Sequence, residues 1–319
     1  MGSDHSYTRR DIGKLALAAM PLARALGAAK INSNFYGVQI GAITYSFNSI
    51  ANPDPEAIIK AFVEIGLGEA ELMSNHCEAL AGAPSAGRGG RGRGPLTPEQ
   101  QAARQAQQDQ LRTWRASTGP ATWKAVRAKF NDAGIDVSVL CYNMNDNMKD
   151  EDIEYGFSMA QGLGVKAMST STTLTMAKRI APIADSHKLL VGYHGHDATN
   201  DPNQTATLES YDTLMAYGKY NGVNLDIGHF TAANYDAVAF IKQHHAKITN
   251  LHVKDMKRDH GTYTPFGEGD TPMKGVLQLM KKEKYPFPGN IELEYRYPPE
   301  SNLLAEMKKC LAFCKDCLV

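Results

Sequence analysis

Between residues 37 and 315 the chain alternates short β-like runs with helical patterns eight times, and this rhythm limits its fold more than any other feature. The β-like runs are 37–44, 69–73, 136–142, 165–170, 188–194, 223–227, 248–253 and 290–295. Helical patterns follow at 55–65, 122–133, 152–163, 174–185, 205–217, 236–245, 273–282 and 303–315. Strict β/α alternation builds a parallel sheet. Eight units in roughly 280 residues is what a closed (β/α)₈ TIM barrel requires. An open doubly wound sheet is the runner-up, but no Gly-x-Gly-x-x-Gly turn follows an early strand. Glycines at 66, 134 and 164 close helices before the next strand, as left-handed C-caps do.

Two segments stand outside the rhythm. Residues 1–30 place Arg9-Arg10 before a moderately apolar, Ala-rich stretch, with Ala23-Arg24-Ala25 as a small-residue exit. That order reads as a twin-arginine export signal and predicts a periplasmic protein. Residues 82–118 hold a Gly/Arg-rich run (GAPSAGRGGRGRG) and then a Gln/Ala-rich helical pattern at 98–115. This is expected to be a flexible insertion or lid after the second strand.

Charge balance narrows the partners. Lys plus Arg and Asp plus Glu number 34 each, so the formal net charge is +0. A neutral chain lacks the electrostatic footprint of phosphate-backbone binding, so no nucleic acid is expected. No apolar run reaches the roughly 20 residues of a membrane span, so the mature form is expected to have no membrane partner. Cys310, Cys314 and Cys317 share one helical side, which reads as a buried helix face rather than a metal site. His244-His245 read as the end of an exposed helix.

The chemistry lies at four successive strand ends. They read Tyr193-His194-Gly195-His196-Asp197, Leu225-Asp226-Ile227-Gly228-His229, Leu251-His252-Val253-Lys254-Asp255 and Ile291-Glu292-Leu293-Glu294-Tyr295. Each apolar run ends in His, Asp or Glu, at the C-terminal mouth where barrel enzymes keep their reactive groups. Charged groups on strands this apolar need partners, and one divalent cation would serve four of them. Mixed imidazole and carboxylate donors suit Mn²⁺, Zn²⁺, Co²⁺ or Fe²⁺ better than Ca²⁺; Mn²⁺ is the metal expected first, with Zn²⁺, Co²⁺, Fe²⁺ or Mg²⁺ as alternatives.

The ordered set YHGHD, NLDIGH, LHVKD, Gly267-Glu268-Gly269 and GNIELEY resembles the xylose-isomerase-like barrel superfamily, within it the proteins called sugar phosphate isomerase/epimerase. The resemblance runs from about residue 38 to the C-terminus and is strongest from 174 onward. It implies metal ligands at the ends of strands five to eight, which fall on His194, Asp226, His252 and Glu294. It implies a substrate contact at His229, and Glu71, ending the second strand, is expected to reach substrate too. One departure matters. Ketose epimerases of this superfamily carry a glutamate where His194 stands, so their symmetric pair of carboxylate bases is broken here. Strand alternation aims His196 to the same side as His194, as ligand or base.

Such a site would remove a proton next to a sugar carbonyl through a metal-stabilised enediolate. Glu294 and His196 would move protons and Lys254 would hold or neutralise negative charge. Isomerisation, epimerisation and elimination all begin with this step. Export makes sugar phosphates poor substrates, so a lyase acting on 3-keto-glycosides or other oxidised sugars is kept as the alternative. A non-catalytic sugar-binding module is a lesser one. The superfamily's abasic-site endonucleases need a basic groove that this neutral chain lacks. The expected partner is a small sugar or glycoside, and a homo-oligomer is compatible with the fold.

Overall fold

A computed structural model describes residues 29–51, 54–84 and 97–319. The predicted export signal and most of the Gly/Arg-rich run lie outside the described residues. Eight parallel strands form the wall: β1 (Val38–Ile43), β2 (Glu69–Met73), β3 (Asp136–Cys141), β4 (Ala167–Thr170), β5 (Leu190–His194), β6 (Asn221–Asp226), β7 (Ile248–Val253) and β8 (Gly289–Ile291). Each pairs with the next, and β8 returns to β1 through Ile40 with Gly289 and Ala42 with Ile291, so the sheet closes on itself. The fold is a TIM barrel, as the alternation predicts.

Local chemistry explains the punctuation. Thr173, Asp236 and Asn302 each cap a helix by accepting a backbone N–H three residues on. Gly66 and Gly164 end helices with φ of 90° and 68°, the left-handed values glycine adopts at least cost. Cys310, Cys314 and Cys317 are buried on the last helix, Leu303–Cys317.

Three features depart from expectation. A two-residue strand, Asn34–Phe35, pairs antiparallel with the start of β1. Its tight turn uses Tyr36 and Gly37, both at positive φ. Short helices follow β2 and β6 directly, at Ser74–Leu80 and Ile227–Ala232. Finally, β8 stops at Ile291, four residues before the apolar pattern ends. The insertion contributes an exposed helix, Pro98–Ala116, opened by a Thr97/Gln100 capping box. It is held to the barrel at its far end, where Arg115 forks onto buried Glu78 and Trp114 meets Trp123 edge-on at 6.1 Å.

The barrel interior is polar over much of its height. Near the N-terminal end, Asn290 donates to Glu69 at 2.8 Å, and Ser138 bonds the other carboxylate oxygen. Gly41 leaves this space, because a Cβ there would lie 1.7 Å from Glu69 Oε2. Above lies a layer of Glu71, Asn224 and Asn250, all fully buried. The next residues up the wall carry the candidate site.

Candidate metal centre and catalytic pocket

Period-two alternation stacks the site on the layer beneath it. Asn224 and Asp226 on β6, and Asn250 and His252 on β7, point to the same side of the wall. The two strands are in register there, with Asn224 opposite Asn250 and Asp226 opposite His252. His194 ends β5, and its Nδ1 lies 2.9 Å from Asn224 Oδ1. Asn224 spends its amide N–H groups on Asn250 and Glu71, so its oxygen is the acceptor. His194 Nδ1 then carries the proton and Nε2 is left with a lone pair.

His252 is held similarly, with Nε2 2.7 Å from Glu71 Oε2 and Nδ1 turned toward Glu292 at 3.0 Å. Asp226 is divided between two tasks. Its Oδ1 accepts the backbone N–H groups of Gly228 and His229, both at 2.9 Å, and so caps the short helix after β6. Its Oδ2 turns toward Lys254 Nζ, 3.0 Å away.

One donor atom each from His194, Asp226, His252 and Glu292 lies within 4.8 Å of the others, and all four residues are buried. Asp226 Oδ2, His252 Nδ1 and Glu292 Oε2 are buried without a hydrogen bond in bonding geometry. Unpaired buried polar atoms are costly, and a shared cation is one way to satisfy them together. Two imidazoles and two carboxylates fit a divalent transition metal.

Sequence alone points to Glu294 as the fourth ligand; the carboxylate that converges on the cluster is Glu292. The reason is the early end of β8. Glu292 is the first residue past the strand and stays level with the cluster, whereas Glu294 lies farther along the extended chain and reaches Lys254 at 2.7 Å. Lys254 Nζ also approaches Asp226 Oδ2 at 3.0 Å and Glu292 Oε2 at 2.8 Å. Glu71 lines the cavity floor, but its carboxylate is occupied by His252, Asn250, Asn224 and Ser169.

The electrostatics follow from burial and these neighbours. Burial, with His252 and His196 nearby, pushes His194 well below the usual histidine range, so it is neutral. Burial raises the carboxyls of Asp226 and Glu292, but Lys254 together with the neighbouring histidines (His229 and His194 for Asp226, His252 and His194 for Glu292) outweighs it and holds both below their ordinary values. Burial disfavours charge on His252, yet Glu71 and Glu292 raise it well above its ordinary value. Burial likewise opposes the Lys254 ammonium, and Asp226, Glu292 and Glu294 more than restore it.

Around this core the cavity is lined by Tyr45, Met73, Asn143, His196, His229 and Tyr263 among others. Its volume of about 210 Å³ suits a small polar molecule better than a drug-sized ligand. His196 sits 4.7 Å from the His194 ring and 5.2 Å from His229, and burial lowers it to about 4. His229 gives its Nδ1 to Asp197 at 3.0 Å. Tyr263, on the loop after β7, stands 5.2 Å from Lys254 Nζ and 5.8 Å from the His229 ring. That loop is fastened by Asp255, whose carboxylate accepts backbone N–H groups from Gly267, Gly269 and Thr271. Tyr263 had no signal in sequence. Asn224 and Asn250 did, because each stands two residues before a candidate ligand on an inward face.

Comparison with known proteins agrees with this architecture. Residues 171–317 match the family model described as a xylose isomerase-like TIM barrel. No curated protein matches. Among solved structures, a probable 3-DHS dehydratase from Bacillus anthracis aligns with a TM-score of 0.59 at 15% identity, over 86% of this chain and 98% of its own. A sugar phosphate isomerase/epimerase from Parabacteroides distasonis gives 0.58 at 14%, over 90% and 96%. A 3-keto-D-glucoside 4-epimerase from E. coli gives 0.59 at 10%, over 88% and 99%. At such identities the likeness is one of fold. The closed eight-stranded wall, with His and carboxylate donors gathered at its C-terminal mouth, makes the chain a TIM barrel whose residues 171–317 are similar to the xylose isomerase-like family.

Proposed function

We propose that the protein is a divalent-metal-dependent sugar isomerase or epimerase that removes the proton next to a sugar carbonyl. The observation that carries this reading is the convergence of His194, Asp226, His252 and Glu292 beside the Lys254–Glu294 pair. A cation held by those four would polarise the carbonyl and a neighbouring hydroxyl. Glu294 is partly exposed and lines the cavity, which suits it to take the proton. Lys254 stays an ammonium, so it serves as a fixed positive charge or proton donor rather than as a base. His196, neutral near pH 7, lines the same cavity and serves as the second proton carrier, and His229 presents Nε2 to a substrate hydroxyl.

With one carboxylate on the proton path, a single removal followed by isomerisation or β-elimination is better served than symmetric exchange. The similarity to a probable dehydratase and to a 3-keto-D-glucoside 4-epimerase keeps elimination on oxidised glycosides as the second reading. The paired arginines at 9–10 support export, and with it a non-phosphorylated substrate.

The decisive experiment offers Mn²⁺-loaded protein a panel of keto-sugars and 3-keto-glycosides in D₂O and identifies the product by NMR. Deuterium should enter beside the carbonyl, and Glu294→Gln should stop its entry while metal stays bound. No exchange with any member of the panel refutes proton abstraction. A reporter fused to residues 1–35 should leave the cytoplasm unless both arginines are changed to lysine.

A further inference from the structure

We propose that Lys254 is the barrel's internal competitor for the metal: its ammonium and a divalent cation share the same two oxygens, and binding the cation hands Lys254 over to Glu294 and the cavity. This rests on the four-donor cation site proposed above. The shared oxygens are Asp226 Oδ2, 3.0 Å from Nζ, and Glu292 Oε2, 2.8 Å from it. Among the described residues they are also the two buried carboxylate oxygens without a hydrogen bond in bonding geometry. The third carboxylate within reach, Glu294 at 2.7 Å, does make a hydrogen bond and is outside the four-donor set. An ammonium that gave up two neighbours would therefore keep one.

The surroundings favour that second arrangement. Tyr263 presents its ring face 5.2 Å from Nζ, a surface that attracts a cation. The lysine stem lies against Gly228, where a Cβ would come within 3.0 Å of Lys254 Cγ, so the stem is tightly seated and the head group is the part able to shift. Two cations on the same pair of oxygens repel strongly in a buried site. A competitor must weaken metal binding, and on release it brings positive charge to the cavity, where a developing oxyanion can use it.

The test is calorimetric titration of Mn²⁺ alone into EDTA-stripped, full-length protein. Lys254→Met should bind Mn²⁺ about tenfold more tightly or better than wild type, while Lys254→Arg, which keeps the charge, should stay near wild type. Wild-type binding with Lys254→Met unchanged or weaker overturns the competition and leaves the metal site standing. No binding by either protein removes the site and the proposal together. Should Lys254→Met fail to fold, ¹⁵N-lysine NMR of wild type decides: Zn²⁺ should shift one buried ammonium resonance, and a Zn²⁺-saturated spectrum without that shift overturns the proposal.

Discussion

Glu71 Oε2 lies 2.7 Å from His252 Nε2, so a carboxylate on β2 decides which nitrogen of an imidazole on β7 looks into the cavity. Partners of this kind fix the tautomer of a ligating histidine and typically contribute 10–100-fold to metal affinity. Glu71→Gln keeps the side chain's size but removes its charge, and should weaken Mn²⁺ binding by about 10-fold or more. Asp226→Asn, which removes a donor itself, should cost more. Calorimetry on both variants checks the order, and equal, wild-type affinity in both would remove Glu71 and Asp226 from the site.

Proton competition gives a pH signature. Glu71 and Glu292 raise His252 well above its ordinary value, so near neutrality its ring holds a proton that a ligand nitrogen must lose. Acidification adds that proton and opposes the metal. Mn²⁺ affinity should therefore climb as pH rises from 6 to 8, by up to about tenfold per unit while one proton is displaced. A pH-independent dissociation constant would rule out His252 as a ligand.

Glu69 carries a stability prediction. Burial raises its carboxyl from 4.5 to about 8. Between those values the folded protein holds a proton that the unfolded chain releases, so this group's contribution turns unfavourable as pH rises from about 4.5 toward 8. Glu69→Gln removes the titration and can keep its bonds to Ser138 and Asn290. It should stabilise the barrel by about 2–4 kcal/mol at pH 8 and by little near pH 4. Thermal unfolding at both pH values measures the difference, and a gain that does not grow with pH contradicts the shift.

The insertion helix has a separable anchor. Arg115 is the residue that forks onto Glu78, while no residue of Pro98–Ala116 is itself buried. Arg115→Ala should speed proteolytic cleavage within 97–118 severalfold and leave Mn²⁺ affinity unchanged. Cleavage at the wild-type rate would show that Trp114 packing holds the helix without the ion pair.

Much of this was legible in sequence, and the misses share a cause. The alternation and the glycine-terminated helices foretold the barrel because both are local signals. His194, Asp226 and His252 were legible because each ends an apolar run. Glu292 was passed over because GNIELEY offers two acids with the same parity, and only strand length separates them. That length is set by pairing with β1 and β7, a tertiary constraint with no local mark. The bonds of Glu71 to Asn224, Asn250 and His252 have no mark in sequence, because those residues lie across the barrel from it. Tyr263 sits in a loop whose path depends on Asp255 capping three distant amides.

The vertical bonding of the interior also bears on how such an enzyme can diversify. Asn224 alone touches Glu71, Asn250, His194 and His252, so exchanging it would disturb both imidazoles at once. Single substitutions at that level should be punished before a compensating one arises. Met73 and Tyr263 line the cavity from outside that web and can vary one at a time. New substrates are thus expected to be acquired at the rim of the barrel, over an inner set inherited as a block.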